Sequence, residues 1–377
     1  MTRPTHGGNL AWAAAVAGCS THEILDFSAS ISPLGPPQSV LETIIGQLPQ
    51  QLSHYPEPGY RKLCQVLAQH HAIDSAWVIP GNGAAELLTW AGRELAQLEK
   101  CYCFSPSFAD YRRAITSYGR PLLPLPLLEP ALWQQGEFVL LSADSLWKTV
   151  LRHVAAKGAA AVPQRLGIII NTPHNPSGQL VSKELIRLCL EQFELVVVDE
   201  AFMDFLKDGE RHSVVSWVER YPNLVVLRSL TKFYGLPGLR IGYAVGHPQR
   251  LRRWQQWRDP WSVNRLATVA ASAALEDRAF QQKTWRWLGP TRQHLFDGLA
   301  ALPALTPWPG QANFLLVHCH SSVVELQRQL LKQYRIYIRD CHSFVELGDR
   351  YFRIAVRTAE NNQALLHALA QLLGTRN

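Results

Sequence analysis

Gly167-Ile-Ile-Ile-Asn171 runs into Thr172-Pro-His-Asn-Pro-Ser-Gly178, and Leu195-Val-Val-Val198 runs into Asp199-Glu200. Each is a short, β-branched apolar run that stops abruptly at polar, turn-forming residues. A run with no alternating polar positions suits a strand buried on both faces. Between them, Leu180–Glu194 reads as a helix. Asn223–Leu227, ending at Arg228-Ser229, and Ile241–Val245 continue the series. Strands alternating with helices predict an α/β fold with a mostly parallel central sheet between helices. Ligands of such sheets sit at the carboxyl ends of the strands. The polar residues that close these runs fall there.

The rest of the chain frames that core. Its 377 residues suit one large and one small domain. Ser32-Pro-Leu-Gly-Pro-Pro37 separates an N-terminal segment, and the texture changes after about residue 265. There, long helical stretches carry Trp285, Trp287 and Leu295, followed by strand-like Ala312–Val317, Ile336–Arg339 and Tyr351–Arg357 and a closing helix from about Asn361. We expect residues 41–264 to form the large domain. Residues 265–377, joined by the N-terminal segment 1–40, would form a small α+β domain built from both chain ends.

Composition excludes several classes. Hydrophobic content is 47% and charged content 18%, enough apolar matter for a sizeable core. The formal charge of +7 is scattered. Its densest patch, Arg250, Arg252, Arg253 and Arg258, alternates with Trp254 and Trp257 and reads as a solvated helix face with inward tryptophans. No domain-wide basic stripe of the nucleic-acid type is present. The seven cysteines are an odd number without paired CxxC motifs, which predicts free thiols in a reducing compartment. Arg3 followed by Leu10–Gly18 and Cys19 loosely mimics a lipoprotein leader, but the short apolar run reads better as an opening helix. No run reaches the ~18 apolar residues of a membrane span. A cytoplasmic protein is expected.

The chemistry concentrates in Ser229-Leu-Thr-Lys232-Phe-Tyr-Gly-Leu-Pro-Gly238-Leu-Arg240-Ile-Gly242. A lysine just past a buried strand, flanked by hydroxyls, suits a Schiff-base amine, which must be partly desolvated to be neutral and nucleophilic. The chain has nine lysines against 28 arginines, so a lysine here is notable. The hydroxyls and Arg240 suit a phosphate. Asp199 stands where a carboxylate would keep a pyridine nitrogen protonated; taken alone it is equally a cap. Asn175 suits a ring hydroxyl, though Asn-Pro-Ser-Gly alone is a turn. Gly81-Asn-Gly83-Ala-Ala-Glu86 opens a helix, Glu86–Leu95, whose N–H groups suit a phosphate.

Taken together, Asn175, Asp199, Lys232 and Arg240 occur in the order and spacing of fold-type-I pyridoxal-phosphate enzymes, and the chain resembles that family over nearly its whole length. Within it, the chain looks like the histidinol-phosphate aminotransferase branch, and most like the threonine-phosphate decarboxylases of cobalamin biosynthesis. The marks are His6-Gly-Gly-Asn9, Leu25-Asp-Phe-Ser28 with Pro33-Leu-Gly-Pro36, Leu227-Arg-Ser-Leu-Thr-Lys-Phe-Tyr234, and Pro260-Trp-Ser-Val-Asn264. The resemblance implies that Lys232 carries the cofactor, Asp199 pairs with the pyridine nitrogen, Asn175 contacts the ring hydroxyl and Phe108 stacks on the ring. It assigns the cofactor phosphate to Gly83, Ala84, Ser229 and Arg240, and to Tyr55 reaching across from the partner subunit of a homodimer. It assigns the substrate carboxylate to Arg353 and the substrate phosphate to Arg339, with His6 and Gly7 nearby and Ser30 and Asn175 as further contacts. Without the resemblance, Arg339 and Arg353 are arginines at strand ends, for which surface pairing is the default.

The resemblance therefore implies decarboxylation of L-threonine O-3-phosphate to (R)-1-amino-2-propanol O-2-phosphate and CO₂. The alternatives are an aminotransferase of the histidinol-phosphate type, or a non-catalytic binding protein on the same fold. Phe202 replaces the tyrosine usual three residues after the aspartate in the aminotransferases, which favours the decarboxylases. Against their pattern, Ser30 and Ser32 stand where they typically have asparagines, and His174 replaces the first asparagine of an Asn-Asn-Pro turn. The cysteine-rich C-terminal extension of some decarboxylases is missing, so no metal is implied.

Overall fold

The computed structural model describes residues 3–127, 142–155 and 165–374. Its strands are β1 (Leu25–Asp26), β2 (Val78–Asn82), β3 (Lys100–Ser105), β4 (Leu122–Pro126), β5 (Leu166–Asn171), β6 (Leu195–Asp199), β7 (Leu224–Ser229), β8 (Ile241–Gly246), β9 (Leu305–Pro307), β10 (Phe314–Cys319), β11 (Ile336–Tyr337), β12 (Arg339–Asp340) and β13 (Tyr351–Ala355). Seven of them form one sheet in the order β2-β8-β7-β6-β5-β3-β4. Within it β8 runs antiparallel to both neighbours, and the other pairings are parallel.

The apolar runs explain why this sheet is covered on both sides. Ile168, Ile170, Val196, Val198 and Val226 belong to one buried cluster. Ile169, Val197, Val225 and Leu227 belong to another. Successive residues of a strand face opposite ways, so each face needs its own apolar set and its own layer of helices. Each fully buried Val, Ile or Leu contributes roughly 1.5–3 kcal/mol. Register then lines up the polar strand ends. Asn171 pairs with Asp199, Asp199 with Leu227, and Ser229 with Gly242.

A second sheet, β12-β13-β10-β9, is antiparallel. The N-terminal β1 pairs in parallel with β11, so both chain ends meet here as expected. The expected strand Ile336–Arg339 splits, because β11 pairs with β1 whereas β12 pairs with β13. The N-terminal segment is stitched on both sides: Ala355 N–H donates to the Phe27 carbonyl at 2.9 Å, and Ser32 N–H donates to the Lys232 carbonyl at 2.9 Å.

The basic patch matches the expected solvated face only in part: Arg252 and Arg253 are exposed and Trp254 packs inward, but other members are not left to water. Arg258 is 8% exposed, donates to the Pro80 carbonyl and lies 5.5 Å from the Tyr60 ring centre. Arg250, Arg253 and the buried Trp254 all donate to Glu94. A buried carboxylate and an aromatic ring take up charges that local sequence assigns to water. All seven cysteines are free thiols. Among the described residues, no helix is long and apolar enough to cross a membrane.

Candidate active site

Strand β7 ends at Ser229, and the helical turn Leu230–Phe233 carries Lys232 back over the strand end. The Lys232 amine donates to Ser229 Oγ at 3.3 Å and lies 5.1 Å from the Phe202 ring centre. Burial lowers its pKa to about 8, against the opposing pull of Asp199 and with help from Arg240 and Arg353. A lysine so placed is a competent nucleophile near neutral pH.

Asp199 closes β6 and is held by two donors. Tyr111 O–H donates to Oδ2 at 2.6 Å, and the Ala201 N–H donates to Oδ1 at 2.9 Å. Burial, and then the neighbouring Asp199, push the Tyr111 phenol well above its ordinary value, so it stays a donor. Asn171 anchors the next turn, where the Asn175 N–H donates to its Oδ1 at 2.6 Å. Asn175 Oδ1 in turn accepts from Arg353, whose other arm donates to the Ser28 carbonyl at 3.3 Å.

An anion cradle lies beside the lysine. The helix Ala84–Leu95 begins there, and its N-cap Gly83 has φ +75°. The left-handed backbone favours glycine at this position, and a Cβ there would lie 2.5 Å from the Arg240 guanidinium and displace it. The Gly83 N–H is spent on the Gly81 carbonyl, which makes Gly83 a shaping residue and leaves donation to the amides that follow it. Ser229 Oγ lies 2.8 Å from Thr231 Oγ1.

These residues open into one cleft of about 330 Å³. Of the residues singled out in sequence, His6, Gly7, Ser30, Phe108, Asn175, Asp199, Lys232, Arg240, Arg339 and Arg353 line it. Gly83, Ala84 and Ser229 sit behind it. Tyr55 does not reach it, being 77% exposed, with its ring tilted against Trp261 at 4.9 Å between centres. Arg339 is buried, donating to the Thr5 and Pro4 carbonyls and to Ser343 Oγ. Gly7 packs so tightly on the Ser28 carbonyl that no side chain fits, which holds His6 5.6 Å from the Phe108 ring. Four cations, Lys232, Arg240, Arg339 and Arg353, face one carboxylate, Asp199, across the lining. The cleft is built for anions. Thr231, one of the hydroxyls flanking Lys232 in sequence, also lines it, as do Tyr111, Ser343 and Phe344, which sequence alone did not single out.

Residues 22–369 match the family described as Aminotransferase class I and II. The chain belongs to that family. It is 37% identical to the threonine-phosphate decarboxylase of Salmonella typhimurium over 98% of this chain and 96% of that one. Among solved structures it is similar to L-threonine-O-3-phosphate decarboxylase from Porphyromonas gingivalis (TM-score 0.76, 24% identity, 93% and 99% of the two chains). It is also similar to the histidinol-phosphate aminotransferase of Clostridium acetobutylicum (TM-score 0.80, 26% identity, 93% and 99%).

The family's cofactor is pyridoxal phosphate, and the residues present fit it. There is an amine with a weakened hold on its proton, a fixed carboxylate and a cationic helix-end cradle. Ser30 Oγ and Arg353 Nε are also buried without partners on the cleft wall, where a bound group would satisfy them. Pyridoxal-phosphate uptake by the cofactor-free chain is expected to accelerate about tenfold from pH 7 to pH 9. Burial disfavours the ammonium form, so the reactive neutral amine gains as pH rises through about 8. Stopped-flow absorbance reads this directly, and a rate flat across that range would count against the assignment.

Proposed function

We propose that this chain decarboxylates L-threonine O-3-phosphate to (R)-1-amino-2-propanol O-2-phosphate and CO₂ in cobalamin biosynthesis. The observation that carries the reading is the pair Arg339 and Arg353, two buried guanidiniums opening into the cleft that holds Lys232. The substrate has two anionic groups. Arg353 takes the carboxylate, and Arg339, with His6 and Gly7, takes the phosphate. Two fixed anchors restrict rotation of the substrate about its Cα.

Lys232 holds the cofactor covalently. Asp199 would pair with its ring nitrogen, Asn175 would contact its ring hydroxyl, and Phe108 would cover the ring. Ala84, Ser229 and Arg240, shaped by Gly83, hold its phosphate. When bound, pyridoxal phosphate supplies an electron sink for the pair left as the Cα–carboxylate bond breaks. Lys232, its amine released and carrying a proton taken from the substrate ammonium, would return that proton from Nζ to Cα once CO₂ has left. Phe202 offers the ring oxygen no hydroxyl.

An aminotransferase acting on histidinol phosphate is the second reading, favoured by the similarity to the Clostridium enzyme. Threonine phosphate should be turned over with kcat/KM at least about 100-fold above histidinol phosphate with 2-oxoglutarate. Parallel assays of aminopropanol phosphate and glutamate decide this, and the opposite order would overturn the decarboxylase reading.

We further infer a cytoplasmic homodimer, with domain boundaries near residues 40 and 264. Leu41, Ile45, Leu48 and Leu52 form an exposed apolar stripe on the helix Gln38–Leu52, continued by Tyr55 and Trp261. A contiguous exposed patch of this kind suits a protein partner, and a second copy would bring Tyr55 to the cofactor phosphate. Sedimentation equilibrium should give twice the chain mass of 42.4 kDa, and a monomer at micromolar concentration would refute this.

A further inference from the structure

Outside this cleft, the helix Arg61–His71 ends in two adjacent histidines. The His71 side chain is 0% exposed. Its Nε2 lies 2.7 Å from the Tyr243 hydroxyl. Its Nδ1 has no hydrogen-bond partner and faces Glu210 Oε2 at 3.6 Å. That gap is too long for a hydrogen bond, yet it matches two ligands of one small cation. Ligand atoms each about 2.1 Å from a tetrahedral zinc stand about 3.4 Å apart. His70 completes the set, since one ligand atom from each of His70, His71 and Glu210 lies within 4.8 Å of the others.

The surroundings favour a cation. Arg228, 1% exposed, meets Glu200 at 3.0 Å, Asp204 at 3.0 Å and Glu210 at 2.9 Å. One guanidinium faces three carboxylates, of which Glu200 is buried, Asp204 nearly so and Glu210 exposed toward the adjoining cleft, so negative groups outnumber positive ones here. Lys207, Arg211 and Arg278 line the adjoining cleft, but among the described lysine and arginine ion pairs only Arg228 reaches these carboxylates. The carbonyl end of the helix adds partial negative charge at the histidines. Glu210 divides its oxygens, with Oε1 on Arg228 and Oε2 toward His71.

We propose that His70, His71 and Glu210 form a divalent transition-metal site, with zinc the ion that two imidazoles and a carboxylate suit. Tyr243 fixes the His71 ring from behind, leaving Nδ1 as the ligand atom. His70 and Glu210 border a cleft of about 290 Å³ that admits a water as fourth ligand. Bound metal would tie the end of the helix Arg61–His71 to the segment Gly209–His212. The site's role is therefore stabilising, separate from the decarboxylation chemistry.

Equilibrium dialysis of the full-length holoenzyme against Zn²⁺ tests this. The wild type should bind one more Zn²⁺ per chain than His70→Asn/Glu210→Gln, and each single variant should bind it at least tenfold more weakly. Zn²⁺ should raise the melting temperature of the wild type but not of the double variant. Decarboxylation without added zinc should be unchanged, because neither residue lines the catalytic cleft. Equal uptake by both chains overturns the proposal. Cobalt gives a readout on the wild type alone. Ligand-field bands of a nitrogen and oxygen site support the assignment, whereas thiolate charge-transfer bands would move the metal to the cysteines and overturn it.

Discussion

Replacing Lys232 with alanine is expected to lower kcat about 10⁴-fold or more and to abolish borohydride trapping of the cofactor. Two losses combine. The chain loses its covalent hold on pyridoxal phosphate, and it loses the group that returns a proton to Cα; positioned acid–base groups alone contribute about 10²–10⁴-fold. The fold should survive, because the Lys232 backbone carbonyl, not its side chain, anchors Ser32. Removing an amine whose charged form is already disfavoured by its surroundings also costs the protein little. Unchanged circular dichroism with lost turnover is the expected pair of results. A variant that keeps more than a tenth of wild-type kcat would remove Lys232 from the chemistry.

Arg339→Met is expected to lower kcat/KM for threonine phosphate about 10²–10³-fold, mainly through KM. Arg339 is 4% exposed. A charge-assisted bond to phosphate there escapes the screening that weakens surface pairs, and its loss costs about 2–4 kcal/mol. Arg339 also holds the Thr5 and Pro4 carbonyls, so the N-terminal strap could loosen with it. Unphosphorylated threonine separates the two effects. If Arg339 reads the phosphate, the preference for threonine phosphate over threonine collapses in the variant. If it only holds the strap, both substrates suffer alike and the preference stands.

Which parts were legible in sequence follows from the physics of each. Strands β5 to β8 announced themselves because burial on both faces demands unbroken apolar runs, and such runs end visibly at polar residues. Asp199, Lys232 and Asn175 were legible because each sits at such an end or a few residues past it, and Arg240 because it stands immediately before β8 in the same glycine-rich stretch. Tyr111 was not, since its bond to Asp199 spans 88 residues and on its own helix it is one aromatic among buried neighbours. Ser343 and Phe344 lie in a turn without periodicity. Strands β11 and β12 have two residues each and are defined by their partners rather than by their own pattern. Arg258 misled for a similar reason, because Tyr60 and Pro80, which bury it, are distant in sequence.

The decarboxylase reading turns on which bond at Cα breaks. Threonine phosphate labelled with ¹³C at the carboxylate, incubated with the holoenzyme and 2-oxoglutarate, separates the outcomes in one sample. Label should be released as CO₂ in step with aminopropanol phosphate, with no glutamate formed. Label retained in a keto acid, with equimolar glutamate, would contradict it.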